Sequence, residues 1–407
     1  MGGALPFTGL RVLDLSWFAA GPVCAKVLAD YGATVVRVES LARLDSLRVN
    51  NPIPEGYEGY NGSGYFNNFN SNKLSLQVDL GHPAGLDLAR RLGRWAEVLV
   101  ENFAPGVLHR WGLDYETLSR ENPGIIVVSA PACGSEGPRR EYRGFGFGIK
   151  AIAGLSWLTG NPSRKPVGPP GAFPDFVINA GQALVGVITA LRARERTGRG
   201  CLIELAQYES TVCVTGPAIA AASLGVPRRG RMMNGSPWAC PHGIYPVRGA
   251  DRWLALTVTT DTEWAALGRV AFGEPWAADP SFATLLGRKR HEDDLERAIA
   301  AWTGRHEGEA LAAALQEAGV PAHVANTNRD LLDDDPHLQA RGYYRTLVHE
   351  ELGPCRYDGA PFRLDGVAHG PFRAAPLLGG DTDTVLRDLL GIGEDEIEAL
   401  HASGALQ

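Results

Sequence analysis

Residues 10–39 read LRVLDLSWFAAGPVCAKVLADYGATVVRVE and predict a strand, a helix and a second strand in that order. The apolar run Leu10–Leu15 is typical of a buried strand. Pro22 suits the first turn of a helix, and Val23–Tyr31 continues it. Ala33–Glu39 then forms the second strand. A strand, a crossover helix and another strand indicate a parallel sheet at the start of the chain.

The same alternation continues to about residue 130. Strands and helices are predicted in turn at Ser75–Leu80, Pro83–Trp95, Glu97–Glu101 and Gly124–Ala130. The expected fold is therefore α/β, with a doubly wound, Rossmann-like sheet in the large domain. Such sheets bind ligands beyond the carboxyl ends of their strands. The loops expected there are Ser16–Pro22, Asn102–Gly106 and Pro131–Gly137.

The pattern changes beyond about residue 225. Pro227–Arg231 is a plausible linker, and short strands followed by helical segments predict a smaller α+β domain. We therefore expect a large domain over 1–224, a small domain over 225–330 and a return segment over 331–407.

Composition excludes several classes of protein. The chain has 407 residues, a net charge of −7 and no block of basic residues, which argues against nucleic acid as a partner. No run of about 18 apolar residues predicts a membrane span. Six cysteines without a C-x-x-C pair, and a start without a secretory signal, favour a cytoplasmic location.

One carboxylate stands out in residues 171–207, GAFPDFVINAGQALVGVITALRARERTGRGCLIELAQ. Asp175 lies where a loop meets a helix of small and aliphatic residues. Asp is a favoured N-cap, so a structural role as a cap is the commoner interpretation. The functional interpretation is a carboxylate that stays anionic and attacks an acyl carbonyl. The two roles remain open at this point.

Other chemistries lack their motifs. The turn at Trp17–Pro22 has no glycine-rich dinucleotide fingerprint, although Glu39 ends the second strand where a ribose-binding acid would lie. No G-x-S-x-G motif or H-E-x-x-H metal motif occurs, so we expect neither a serine hydrolase nor a metal site. Several cations are available to offset phosphates or to remain solvated, namely Arg37, Lys73, Arg110, Arg143 and the pair Arg139 and Arg140.

Taken together, a series of short segments resembles the family III CoA-transferases and the related alpha-methylacyl-CoA racemases. The order and spacing of the segments carry the resemblance over nearly the whole chain. They are Gly9–Asp14, Ala20–Pro22, Leu28–Ala33, Arg37–Glu39, Asn72–Lys73, Glu101–Gly106, Gly112–Tyr115, Ala190–Leu191, Thr197–Gly200, Asp335–Pro336, Gly359–Phe362 and Ala375–Gly379.

The resemblance implies an interlocked homodimer, with a large domain built from both chain ends. It implies that Asp175 attacks an acyl-CoA donor, forming a mixed anhydride and then an aspartyl-CoA thioester. Coenzyme A and acyl-CoA are then substrates, a carboxylic acid is the acceptor, and no cofactor is bound permanently. Asn102 and Phe103 match a loop that contacts coenzyme A, Arg110 matches a contacting arginine and Arg143 falls at a contacting lysine. Lys73 and Arg37 complete the expected coenzyme contacts.

Two alternatives remain. A racemase or epimerase of 2-methylacyl-CoA needs a second base, and the matching positions hold Phe145 and Gly146, which cannot move a proton. A non-catalytic coenzyme-binding subunit of a heteromer is the other. The residues expected to line the acyl end are Trp17, Phe18, Ala19, Phe145 and Gly146. Compared with the formyl-CoA:oxalate CoA-transferase of the family that the chain resembles, these residues predict an acceptor acid larger and less polar than oxalate. Residues 40–70 are assigned to either a mobile loop or a dimer contact.

Overall fold

The computed structural model describes residues 5–226 and 230–407, which form two compact units. Of these described residues, the first unit contains 5–157, 168–226 and 337–407, and the second contains 158–167 and 230–336. Three residues of the expected linker, 227–229, lie outside the described residues.

A six-stranded sheet forms the centre of the first unit, with the order β3-β2-β1-β4-β5-β6 and every pair parallel. This confirms the predicted parallel α/β sheet. The order reverses between β1 and β4, which is where doubly wound sheets place their ligands. The strands are β1 (Arg11–Asp14), β2 (Thr34–Glu39), β3 (Leu74–Gln77), β4 (Val98–Glu101), β5 (Ile126–Ser129) and β6 (Leu202–Glu204).

Helices cover both faces of this sheet. The helices up to residue 223 are α1 (Ala20–Asp30), α2 (Gly64–Phe69), α3 (Pro83–Trp95), α4 (Val107–Trp111), α5 (Tyr115–Glu121), α6 (Gly146–Ile152), α7 (Leu155–Leu158), α8 (Ala180–Thr197), α9 (Gln207–Val212) and α10 (Gly216–Ser223). A π-helical turn, Pro174–Asn179, leads into α8. Short 3₁₀ turns occur at Ser46–Val49 and Cys213–Thr215.

Side chains alternate between the two faces along each strand. Leu13 on β1 joins a core cluster with Leu88 and Leu92 of α3, whereas its neighbour Val12 joins a second cluster with Leu28 of α1 and Val187 of α8. Strands buried on both faces are expected to be almost continuously apolar, and the neighbouring strands β4 (VLVE) and β5 (IVVS) follow this pattern.

The turn from β1 into α1 requires a glycine. A Cβ atom on Gly21 would lie 2.2 Å from the Cβ of Ser16, so only glycine allows α1 to start this close to the strand end. Phe18 in the same loop has a φ of 65°, a left-handed conformation that is strained for a bulky side chain. The loop therefore has a defined, tight shape.

The second unit contains a three-stranded antiparallel sheet in the order β7-β8-β9. Its strands are β7 (His242–Pro246), β8 (Trp253–Thr257) and β9 (Ala322–Val324), and its helices are α11 (Asp261–Val270), α12 (Leu285–Arg290), α13 (Glu292–Thr303) and α14 (Gly308–Glu317). Short turns are 3₁₀ at Pro275–Ala277 and Pro280–Phe282 and π-helical at Asp330–Asp334. Trp264, Trp276 and Trp302 pack at its core.

The C-terminal stretch packs against the parallel sheet. It contains α15 (Pro336–Ala340), β10 (Tyr344–His349), β11 (Gly353–Asp358), α16 (Thr382–Thr384), a π-helical turn (Val385–Leu389) and α17 (Glu394–Ser403). Ser75 N of β3 donates to Asp381 Oδ2 over 2.9 Å, and Val385 and Leu386 are fully buried in the core beside α3. The end of the chain thus completes the unit that its beginning starts.

One helical stretch among the described residues, Pro174–Thr197, is long and apolar enough to cross a membrane by composition, with a mean hydropathy of 1.5. Core helices of soluble domains pass the same test. Here Ala183, Val187 and Ala190 pack against the parallel sheet.

Candidate active site

Asp175 lies in the π-helical turn that precedes α8, and its carboxylate accepts hydrogen bonds from groups other than the backbone amides of that turn. The N-cap position of the turn is Phe173, and no side chain caps it. Instead the Gly146 N–H, at the start of α6, donates to Asp175 Oδ2 over 2.9 Å. Asn179 Nδ2 donates to Oδ1 over 3.5 Å. The structure therefore excludes the interpretation that Asp175 caps its own helix.

The Asp175 carboxyl is buried without a counter-ion. It is 2% exposed, and no cation of the described residues pairs with it. Burial disfavours the charged form and raises the pKa of Asp175 to about 6, against the opposing effect of the hydrogen bonds from Gly146 and Asn179. The group is thus largely ionised at neutral pH yet poorly solvated, which is a combination typical of reactive carboxylates.

Position 146 requires a glycine, because its backbone lies too close to the Asp175 carboxyl to leave room for a side chain. A Cβ atom on Gly146 would lie 2.7 Å from Asp175 Oδ2 and 2.8 Å from the Cα of Ala172. Any larger residue would displace the carboxylate or the loop before it. Gly146 therefore contributes its backbone N–H and the absence of a side chain.

A cavity of about 230 Å³ opens at Asp175. Its walls bring together most of the residues predicted for the site, namely Trp17, Phe18, Ala19, Asn102, Phe103, Arg143 and Phe145, and they add Tyr142 and Gln207. The ring centroids of Phe18 and Phe145 are 5.2 Å apart, so one wall of the cavity is aromatic. Asp45 accepts a hydrogen bond from Phe18 N over 3.2 Å, which holds Phe18 in its strained conformation.

A second cavity of about 420 Å³ lies beside the first, and Trp17 and Phe103 line both. Arg110 lines this second cavity together with Arg43, Glu39 and Trp111. The two cavities follow the ends of β1, β2 and β4, where the sheet topology predicts a ligand.

The side chain of Asn102 hydrogen-bonds the loop after β4 to the loop after β1, and these two loops form the shared wall. Its Oδ1 accepts from Trp17 N over 2.8 Å, and its Nδ2 donates to Trp17 O over 2.7 Å. Glu101, one residue earlier, accepts from Phe103 N over 2.7 Å. The rings of Trp17 and Phe103 meet edge to face at 5.9 Å. The wall between the cavities is therefore fixed before any ligand binds.

Arg37 and Lys73 do not reach either cavity, which corrects their assignment as coenzyme contacts. Both are 0% exposed. Arg37 Nη2 lies 2.5 Å from Asp45 Oδ2, and Lys73 Nζ lies 2.8 Å from Asp14 Oδ2. Each cation already has carboxylate partners and is closed off from solvent, so neither is available to a phosphate. The sequence shows the charge of these residues but not their burial.

Two residues beside Asp175 were missed in the sequence. Asn179 is four residues further along the same helical stretch, and this spacing places it on the same face. Gln207 lies in the cavity wall at the start of α9. Nothing in the sequence marked Gln207, since its place depends on how α9 packs.

One group in the described part of the chain has the geometry of a metal site. Ligand atoms of Cys240, Glu292 and Glu296, in the second unit, lie within 4.8 Å of one another. Lys289 forms an ion pair with Glu292, and Tyr245 Oη donates to Glu296 over 2.7 Å. The two carboxylates already have protein partners, so we do not assign a metal site to this group.

Comparison with known proteins identifies the fold and the chemistry. CoA-transferase family III matches residues 7–382. The chain is 34% identical over 399 residues to succinyl-CoA–D-citramalate CoA-transferase of Chloroflexus aurantiacus, covering 98% of this chain and 97% of that one. It is 31% identical to the beta subunit of succinyl-CoA–L-malate CoA-transferase of the same organism, covering 98% and 97%. The crystal structure of a CAIB/BAIF family protein from Brucella suis superposes with a TM-score of 0.85 and 30% identity, covering 95% of this chain and 100% of that one.

Proposed function

This chain belongs to CoA-transferase family III, and we propose that it moves coenzyme A from an acyl-CoA to a free carboxylic acid through covalent chemistry at Asp175. The observation that carries this proposal is the position of Asp175. It is a buried carboxylate without a counter-ion, in a cavity that shares an aromatic wall with a second, larger cavity.

The first step is attack by an Asp175 carboxylate oxygen on the thioester carbonyl of the donor. A C–O bond forms, the C–S bond breaks, and the product is a mixed anhydride with coenzyme A leaving as thiolate. The thiolate then attacks the carbonyl carbon of Asp175, a new C–S bond forms, and the first acid leaves as a carboxylate. The acceptor acid repeats both steps in reverse. An acylated carboxylate stays reactive, so neither intermediate is a deep energy minimum.

We place the coenzyme along the two cavities. The thioester lies at Asp175, the pantetheine arm follows Trp17 and Phe103, and the phosphates meet Arg110 in the second cavity. Arg143, in the wall of the first cavity, serves as a further cation for the coenzyme. Coenzyme A is a substrate in this scheme, and we propose no permanently bound cofactor.

The two Chloroflexus aurantiacus relatives are named as succinyl-CoA transferases, and we propose succinyl-CoA as the donor here too. For the acceptor we propose an acid larger and less polar than oxalate, because Phe18 and Phe145 line the reacting end. Turnover with oxalate should be well below turnover with a branched or aryl acid. A clear preference for oxalate would contradict the proposal.

Racemisation is disfavoured by the residues around Asp175. Removing and returning an alpha proton on opposite faces needs two bases. Asp175 is the one carboxylate among the described residues that line its cavity, and no histidine lines it. Phe145 and Gly146 occupy the positions where the second base was expected.

For assembly we propose an interlocked homodimer in the cytoplasm. Large apolar side chains are exposed along α8 and α10, including Val185 (60%), Ile188 (47%) and Ile219 (49%), and Leu224 just after α10 is 79% exposed. Val185 and Ile188 are three residues apart on α8 and so share a face, and an exposed apolar face favours coverage by another chain. The presence of Asp175 argues against a role as a non-catalytic subunit. Light scattering of the chain expressed alone tests the proposed homodimer. A monomeric mass, or activity that appears only with a second gene product, would contradict the proposal.

The covalent step is tested by trapping. The enzyme is mixed with succinyl-CoA and quenched with hydroxylamine, and the peptide containing Asp175 is examined by mass spectrometry. A hydroxamate at Asp175, absent from the Asp175→Asn variant, is expected. Full turnover with no adduct, or with an adduct at another residue, would overturn the proposal.

A further inference from the structure

Behind Asp175 lies a chain of buried polar side chains that reaches to the central sheet. Asn179 is 0% exposed, and Gln207 and Ser210 are 5% and 6% exposed. Asn179 Nδ2 donates to Gln207 Oε1 over 3.1 Å, and Gln207 Nε2 donates to Ala130 O over 2.7 Å. Ser210 Oγ donates to Asn179 Oδ1.

The direction of every amide in this chain follows from its last member. Ala130 O, just beyond β5, is a carbonyl and can only accept, so the Gln207 nitrogen must face it. The oxygen of Gln207 then faces Asn179 and can only accept, so Asn179 must present its nitrogen. The Asn179 oxygen is left for the hydroxyl of Ser210. The backbone at the end of β5 thus decides which end of the Asn179 amide faces Asp175.

This order matters because an amide can rotate end for end at little steric cost. With its nitrogen toward Asp175, Asn179 donates to Oδ1 and favours the carboxylate. With its oxygen there, two acceptors would face each other and the carboxylate would be disfavoured. Gly146 holds the other oxygen, so the two donors together also set the rotation of the carboxyl plane.

We propose that Gln207 and Ser210 are positioning residues that act through Asn179 to keep Asp175 ionised and correctly turned for attack. This inference rests on the proposed role of Asp175 as the nucleophile. Gln207 fixes the Asn179 nitrogen, and Ser210 fixes its oxygen. Neither residue needs to touch the reacting thioester for this role.

Few charged side chains lie near Asp175 on the elements that pack against its π-helical turn. Lys150 of α6 points its ammonium to the carbonyls of Pro169 and Gly171. On α1, Lys26 and Asp30 form an ion pair with each other. Glu209 lies on α9, and Arg143 lies in the cavity wall. The variants below leave all of these unchanged.

The test compares Gln207→Met, Ser210→Ala and Ser210→Thr. Met keeps the approximate shape of Gln without its hydrogen bonds, and Thr keeps the hydroxyl that Ala removes. In Gln207→Met and Ser210→Ala, kcat/KM for succinyl-CoA is expected to fall about tenfold at pH 7. The pH midpoint of kcat/KM should rise by about one unit in both, because Asn179 is then free to turn its oxygen toward the carboxylate and stop donating to it. Ser210→Thr should keep the wild-type midpoint, and Asn179→Ala should reproduce the raised one.

The outcomes separate this inference from the proposed function. If the Asp175 hydroxamate forms normally while Gln207→Met and Ser210→Ala keep the wild-type pH midpoint, the positioning role is overturned and the nucleophile stands. A lowered melting temperature with an unchanged midpoint would also overturn it, because that result shows a structural role alone. If no adduct forms at Asp175 in the wild type, the proposed function itself fails.

Discussion

Two buried aspartates in the first unit have opposite surroundings. Asp14, at the end of β1, is 0% exposed and lies 2.8 Å from Lys73 Nζ and 3.4 Å from Arg37 Nη1. Burial alone would raise the pKa of Asp14, but the two cations together lower it below its usual value. Asp175 is equally buried and has no cation, and its pKa rises to about 6.

The comparison shows that a buried charge has a structural or a chemical role according to its partners. The carboxylates of Asp14, Glu39 and Asp45 are paired with Arg37, Arg48 and Lys73. A paired ion in the interior is held in place and is poorly available to a ligand. An unpaired carboxylate keeps its reactivity, and its burial costs free energy. The difference predicts opposite results for the same substitution at the two sites.

The largest expected effect is on turnover. Asp175→Asn should lower kcat by at least about 10⁴-fold, because the amide cannot form the anhydride. Its stability to urea at pH 7 should be equal to or above that of the wild type, since a buried unpaired charge is removed. Steady-state kinetics with succinyl-CoA and urea unfolding measure the two results. Turnover within tenfold of the wild type would show that Asp175 is not the nucleophile.

At Asp14 the same change should act on stability. Asp14→Asn removes the partner of a buried lysine and should lower the free energy of unfolding by about 3–5 kcal/mol. Urea unfolding at pH 7 gives this value. The control is Glu195→Gln, which breaks the exposed ion pair with Arg192 and should cost less than about 1 kcal/mol. Equal effects in the two variants would refute the distinction between the buried and exposed pairs.

The fold could be predicted well from the sequence because its signals are local. The strand-helix-strand pattern of residues 10–39 became β1, α1 and β2 within a few residues of the expected ends. Pro83–Trp95 was predicted and observed with the same bounds. Apolar runs and helix ends are decided by neighbouring residues, so one sequence suffices to find them.

The site was predicted less completely, because burial and pairing are long-range properties. Asp175, Phe103, Asn102 and Arg143, all predicted as site residues, line one cavity. Arg37 and Lys73 had the right charge for a phosphate, but carboxylates up to 59 positions away in sequence already bind them. Gln207 was missed for the same reason, since its contact with Asn179 spans two helical segments.

A smaller effect is expected from the backbone beside Asp175. Gly146→Ala would place a Cβ atom 2.7 Å from Asp175 Oδ2 and should lower kcat about 100-fold by turning the carboxyl away. Gly148→Ala is the matched control, because it lies in the same helix and its Cβ would meet nothing within 4 Å. The control should keep wild-type kcat. Similar kcat values for both variants would show that the tight contact at Gly146 has no role in catalysis.

The smallest effect is the pH dependence of the unmodified enzyme. Below the pKa of Asp175, kcat/KM should fall about tenfold per pH unit, whereas Asp14 should still be ionised. Catalysis needs ionised Asp175, so kcat/KM should fall as the pH drops below about 6. The raised pKa means that the stability cost of burying this charge is full above pH 6 and disappears toward pH 3.8. Asp14 has a lowered pKa, so its ion pairs persist above pH 3.8 and are lost only in stronger acid.

Between about pH 4 and 6 the enzyme should therefore lose activity reversibly while it stays folded. Circular dichroism and kcat/KM, followed over the same pH range, measure the two properties. Burial raises the pKa of Glu101 to about 7, so this group titrates nearby. The Glu101→Gln variant keeps an acceptor for Phe103 N and should retain the midpoint near pH 6. If the midpoint of kcat/KM disappears in this variant, the titration belongs to Glu101. If circular dichroism shows unfolding over the same pH range as the loss of activity, the acid transition is structural.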